Sequence, residues 1–155
     1  WVPKRVVAVH TLSVAAIKLP ILIKSILDLN KKDQKYDFKV KVIMHKALFI
    51  ILGKWADMMV ISPLDTNSLG ICTVRAWDIS KPLLFCPAMN TRMWNHPITS
   101  KQVATLKEWD YKEIPPINKK LMCGDTSVGV MAEVNTIVQK IKSIAEKIYE
   151  SRQQN

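Results

Sequence analysis

The feature that most restricts this sequence is a short run of consecutive apolar residues, Pro82–Cys86, that ends against a polar amide. Preceded by Ser80 and Lys81 and followed by Pro87-Ala88-Met89-Asn90, such a run reads as a fully buried strand of a parallel sheet. Pro97 then opens a new helix. Three other apolar stretches, Arg5–His10, Lys39–Met44 and Met58–Ser62, alternate with helical patterns. The first such pattern places Ile17, Ile21, Leu22, Ile26 and Leu29 on one face, with Ser13 able to cap it. The last places Ile137, Val138, Ile141, Ile144 and Ile148 together, with Thr136 and Gln139 as its capping pair. This alternation predicts an α/β fold, a three-layer sandwich with a mainly parallel sheet, and leaves strand order open. In open α/β sheets ligands bind beyond the carboxyl ends of strands, so Ala88, Met89 and Asn90 fall where a ligand would be held. An asparagine side chain both donates and accepts hydrogen bonds. By spacing alone, the same segment also reads as an ordinary connecting loop with Met89, Met93 and Trp94 filling core.

At 155 residues the chain is expected to form a single domain over 1–155 around one buried core. With 48% hydrophobic and 23% charged residues its composition is globular, and no apolar run approaches the roughly 20 residues of a membrane span. The opening WVPKRVVAVH lacks the long apolar region and small-residue cleavage site of a signal peptide and reads as a strand. A cytoplasmic protein without membrane contact is the expectation. Three cysteines, Cys72, Cys86 and Cys123, show no CxxC spacing, so neither a disulfide framework nor a structural metal site is expected. The net charge of +10 favours anionic partners in principle. The lysines are nevertheless scattered, and no nucleic-acid motif accompanies them, so no nucleic-acid partner is expected.

Towards the C-terminus, Thr99 and Gln102 form a capping-box pattern for a helix over Ile98–Trp109, and His96 reads as a local structural residue. Lys112–Ile114 reads as a short strand. Pro115–Pro116 stiffens the approach to Leu121-Met122-Cys123-Gly124-Asp125, which continues to Gly129 and Met131-Ala132-Glu133, and glycines around a lone cysteine here suggest a mobile flap over a pocket. A small buried thiol in a loop is the alternative.

The words themselves narrow the choice. PAMNTRMW resembles the PxMNxxMW motif of the flavin-dependent cysteine decarboxylases, in the form that acts on 4′-phosphopantothenoylcysteine in coenzyme A synthesis. The resemblance covers Lys54 to the end, through KWADMMVISPLDTNSLG, VRAWDISKPLLFCPAMNTRMWNHPITSKQV, EIPPINKKLMCGD and MAEVNTIVQKI. It implies a flavodoxin- or Rossmann-like sheet, FMN as cofactor, and trimers, or hetero-oligomers with another family member, whose sites lie between subunits. It also implies a reaction: FMN oxidises the cysteinyl thiol to a thioaldehyde, carbon dioxide leaves, and the reduced flavin returns the hydride to give 4′-phosphopantetheine. In that account Asn90 holds the substrate carboxylate, Cys123 donates a proton to the enethiolate, and a histidine assists at the thiol. Ser13, Thr66, Asn67, Ser68 and the Ala88 backbone correspond to the flavin-binding positions.

The sequence also departs from the family. The family's GxTGSxAA stands here as Val9-His10-Thr11-Leu12-Ser13-Val14-Ala15-Ala16, without either glycine, so Val9 and Leu12 are expected to crowd the phosphate loop. The family histidine position is occupied by Phe49, with His45 four residues away. Family segments before Lys54 and after Gly70 are shortened, and Ser127 replaces a glycine of the flap. Besides an active decarboxylase, a non-catalytic or regulatory subunit and an inactive truncated copy therefore stand as alternatives.

Overall fold

The computed structural model describes residues 4–9, 18–33, 35–43, 53–65, 77–120 and 126–153. Five parallel strands form the main sheet: β1 (Lys4–Val9), β2 (Phe38–Ile43), β3 (Met58–Leu64), β4 (Leu83–Pro87) and β5 (Lys112–Glu113), in the order β2-β1-β3-β4-β5. That is the doubly wound order whose direction reverses between β1 and β3. A separate antiparallel pair, β6 (Ile117–Lys120) and β7 (Thr126–Val130), follows. Helices among the described residues include α1 (Leu19–Lys32), α2 (Thr91–Trp94), α3 (Pro97–Glu108) and α4 (Val134–Gln153).

Alternation along the central strands divides the core in two. Met58 and Val60 of β3, with Leu84 and Cys86 of β4, pack against Leu22 and Ile26 of α1 and Ile137, Ile141 and Ala145 of α4. Met59, Ile61, Leu83 and Phe85 point the other way, onto Leu106 of α3, Trp77 and Tyr111. These strands are buried on both faces, which is why they read as unbroken apolar runs. The expected three layers are present: α1 and α4, the sheet, and α3.

Strand positions follow the sequence expectation to within a residue or two, apart from β3, which continues past Ser62 through Pro63 to Leu64. Proline cannot donate to a ladder, and the β3–β4 register shifts between Ile61 and Leu64, where that donor is missing. Helix α1 carries Pro20 in its first turn and Lys31 and Lys32 in its last, both favourable to its dipole. Asn30 then clamps the start of β2: its Nδ2 donates to the Phe38 carbonyl at 3.0 Å, and its Oδ1 accepts from the Phe38 N–H at 2.8 Å.

Three capping expectations change or fall outside view. The cap of α3 is His96, whose Nδ1 accepts from the Ile98 N–H at 3.3 Å. Thr99 is buried instead, its hydroxyl donating to the Met93 carbonyl at 2.6 Å. Pro97 explains this, since a proline favours the first helical turn and moves the start upstream of Thr99. Helix α4 begins at Val134, so Thr136 lies inside it. Ser13 lies outside the described residues, and α1 has Lys18 at its N-cap. Among the described residues no helix is long and apolar enough to cross a membrane.

Candidate functional site at the carboxyl edge of the sheet

Asn90 stands three residues beyond β4 and serves as the N-cap of α2, with φ −66° and ψ 159°. Its Oδ1 accepts from the Met93 N–H at 2.9 Å. A cap must accept, so the side-chain oxygen is committed to the backbone. The Nδ2 group, a pair of donors, is thereby turned away from the helix, and the residue is exposed. The side chain is suited to an acceptor-only ligand group such as a carboxylate.

The segment around Asn90 is braced by β7. The Met89 N–H donates to the Gly129 carbonyl at 3.1 Å, and the Thr91 hydroxyl donates to the Val128 carbonyl at 3.4 Å. Gly129 has φ +105°, a conformation open to glycine, and a Cβ there would stand 2.5 Å from the Met89 carbonyl oxygen. Nothing in the residue pattern of Thr126–Val130 had marked it as a strand. A lone glycine between two valines was its only signal.

Beneath this segment the edge is apolar. Leu64 and Ala88 are buried at the ends of β3 and β4. The Ala88 N–H donates to the Leu64 carbonyl at 3.0 Å, which leaves the Ala88 carbonyl, not its amide, for a ligand. Ser62 is buried one layer deeper, with its hydroxyl 3.2 Å from the Met131 sulfur. Burial pushes the neighbouring Cys86 thiol up to about 12, against a smaller opposing hydrogen bond from Ser62. Cys86 is thus an inert thiol of the floor.

At the opposite, amino end of the sheet lie the segments Trp55-Ala56-Asp57 and Trp77-Asp78. Asp57 accepts from the Arg5 N–H through Oδ2 at 3.0 Å, and its own N–H donates to the Arg5 carbonyl at 2.8 Å. Lys41 sits over the Trp55 ring at 4.3 Å. The Trp77 indole donates to the Lys81 carbonyl at 3.1 Å. These motifs brace strand starts and stand away from Asn90.

The flavoprotein family model matches residues 31–146. The chain belongs to the flavoprotein family. Within it, the chain is 42% identical to the phosphopantothenoylcysteine decarboxylase of Mus musculus, over 90% of this chain and 86% of that one. Their alignment runs over 176 positions, more than this flavoprotein's 155 residues, in keeping with shortened segments. Of the Glycine max and Oryza sativa decarboxylases the chain spans 57% and 51%. A cysteine-to-serine variant of a PPC decarboxylase, solved with pantothenoylaminoethenethiol, superposes with TM-score 0.76 and 31% identity, covering 93% of this chain and 99% of that one. The FMN-binding protein AtHal3 gives TM-score 0.73 and 32% identity, covering 93% and 97%. The α/β fold expected from the sequence is therefore the fold of this flavoprotein.

Of the sequence-predicted site residues, the structure describes Asn90 and Ala88 at the ends of adjacent elements on one edge. Ser13, Thr66, Asn67, Ser68 and Cys123 lie outside the described residues, as do Phe49 and His45. In chain order Ser13 follows β1, Thr66–Ser68 follow β3, and Cys123 lies between β6 and β7. Met89 was expected near a ligand and Gly129 in a flap, but their pairing was not, and Thr91, which also holds the segment, was not singled out by the sequence. No cluster of three or more metal-ligating side chains occurs among the described residues.

Proposed function

We propose that this flavoprotein carries out, alone or as one subunit of a mixed assembly, the FMN-dependent decarboxylation of 4′-phosphopantothenoylcysteine to 4′-phosphopantetheine. The observation that carries the proposal is Asn90: capping α2 spends its oxygen and presents its amide donors beyond β4, in a sheet whose order reverses between β1 and β3. The described residues fit a flavin. Leu64 and Ala88 offer a buried apolar floor at adjacent strand ends, and the Ala88 carbonyl supplies an acceptor. When bound, FMN supplies a two-electron oxidation of the substrate thiol and its later reversal.

In this reading Asn90 orients the carboxylate, so that the bond to be broken is held in one geometry when the adjacent carbon becomes an electron sink. Cys123 provides the proton for the enethiolate. Ser13, Thr66, Asn67 and Ser68 hold the cofactor with Ala88. The domain spans 1–155, the assembly is a trimer with sites between protomers or a hetero-oligomer with a family member, and the protein works in the cytoplasm.

The first test is FMN reconstitution followed by a decarboxylation assay on the purified protein. Bound flavin and release of carbon dioxide support the proposal; a colourless protein that cannot be reconstituted refutes it. A second reading, a non-catalytic subunit, draws on Phe49 at the family's histidine position and on the lost phosphate-loop glycines. Mixing with a family member that keeps its histidine but has an altered cysteine separates the two. Regained activity, abolished by Cys123→Ser, supports a divided site, whereas a verified mixed oligomer without activity supports the binding role.

A further inference from the structure

Asn90 is flanked by two contacts to a single strand. Met89, on its amino side, donates to the Gly129 carbonyl at 3.1 Å, and Thr91, on its carboxyl side, reaches the Val128 carbonyl at 3.4 Å. A four-residue helix has little stability of its own, since nucleation fixes several residues for each hydrogen bond gained. Capping orients the Asn90 amide only relative to this short helix, which must itself be held in place. The β6–β7 ribbon adds the missing constraint.

We propose that Gly129 is a positioning residue for Asn90: by lacking a side chain it lets β7 close on the Met89 peptide and so fixes where the Asn90 amide points. An added Cβ would stand 2.5 Å from the Met89 oxygen and 3.5 Å from Trp94 Cβ, at a φ of +105°. The neighbour at 2.5 Å is backbone, so the peptide leading into Asn90 must shift. The proposal rests on the reading that Asn90 receives the substrate carboxylate.

Substrate and product differ by that carboxylate alone, which makes them a matched pair of probes. The FMN-loaded full chain is titrated calorimetrically with the oxygen analogues of 4′-phosphopantothenoylcysteine and 4′-phosphopantetheine, in which a hydroxyl replaces the thiol so that no turnover consumes the acid, in wild type, Gly129→Ala, Asn90→Ser and the double variant. Serine keeps the cap and removes the amide. Gly129→Ala is expected to weaken the acid about tenfold, the loss of one charge-assisted hydrogen bond, and to change product affinity less than about twofold. In the Asn90→Ser background it should add nothing, because the two residues act on one contact. Equal weakening of both ligands, additive losses, or unchanged acid affinity in Gly129→Ala would overturn the proposal. Unchanged acid affinity in Asn90→Ser would instead sink the reading of Asn90 itself. Should Gly129→Ala fail to fold, Thr91→Val carries the same test, with an expected loss of about threefold for the acid alone.

Discussion

The Lys81 ammonium donates to the Ala56 carbonyl at 2.9 Å and, with a second proton, to the Gly53 carbonyl at 3.0 Å. One side chain just before β4 thus holds the end of the helical segment that leads into β3. Replacing it with methionine keeps the length and removes the donors, leaving two carbonyls without that partner. Lys81→Met is expected to cost about 2 kcal/mol, seen as a lower urea midpoint at unchanged slope. FMN affinity should not move, because the contact lies at the far end of the sheet.

Alkaline stability should show the buried thiol. Cys86 is raised to about 12 from an ordinary value of 9.0, so between these pH values the folded chain keeps a proton that the unfolded chain loses. More protons in the folded state mean that stability falls as pH rises, beginning near pH 9. Tyr111 and Tyr36 are also raised, chiefly by burial, and act in the same direction. Cys86→Ala should flatten the first part of that decline in denaturation curves taken from pH 8 to 11. An identical decline would assign it to the tyrosines.

Tyr36 joins α4 through a hydrogen bond from its hydroxyl to Glu146 and stacks on Phe38, ring centres 5.5 Å apart. Tyr36→Phe retains the stack and removes the bond. A loss of about 1 to 2 kcal/mol is expected, and Glu146→Gln, which can still accept, should cost less. Equal costs would show that the charge matters more than the hydrogen bond.

Asn90→Asp separates capping from ligand binding. Aspartate caps as well as asparagine, so thermal stability should hold within about 0.5 kcal/mol. It presents an acceptor and a negative charge where the amide donors stood, so affinity for 4′-phosphopantothenoylcysteine should fall at least about tenfold at neutral pH. An unaltered affinity would remove Asn90 from the carboxylate's binding groups.

The strands were legible because burial on both faces writes an unbroken apolar run: Met58–Ser62 and the run ending at Cys86 needed no further clue. Their order was not legible, since β1 pairs with β3 across about fifty residues and no local signal records such a pairing. Asn90 could be found from its place after β4 and from the motif around it. The strand that braces it could not, because Ile117–Lys120 and Thr126–Val130 are short, partly polar and take their pairing from each other. Thr99 shows the opposite failure. Its spacing to Gln102 fits a cap, but Pro97 had already started the helix, and the hydroxyl turned inward to Met93.

The two rims of the main sheet set a rule for how copies of this chain can meet. On one side β2 carries exposed Lys39 and Lys41 along its length, and on the other β5 is two residues long. Charged side chains on one rim and brevity on the other deny an incoming strand a ladder to extend. Among the described residues neither rim therefore invites a second copy to grow one continuous sheet, which leaves helices, loops and the β6–β7 ribbon as surfaces where contact is shaped by side chains.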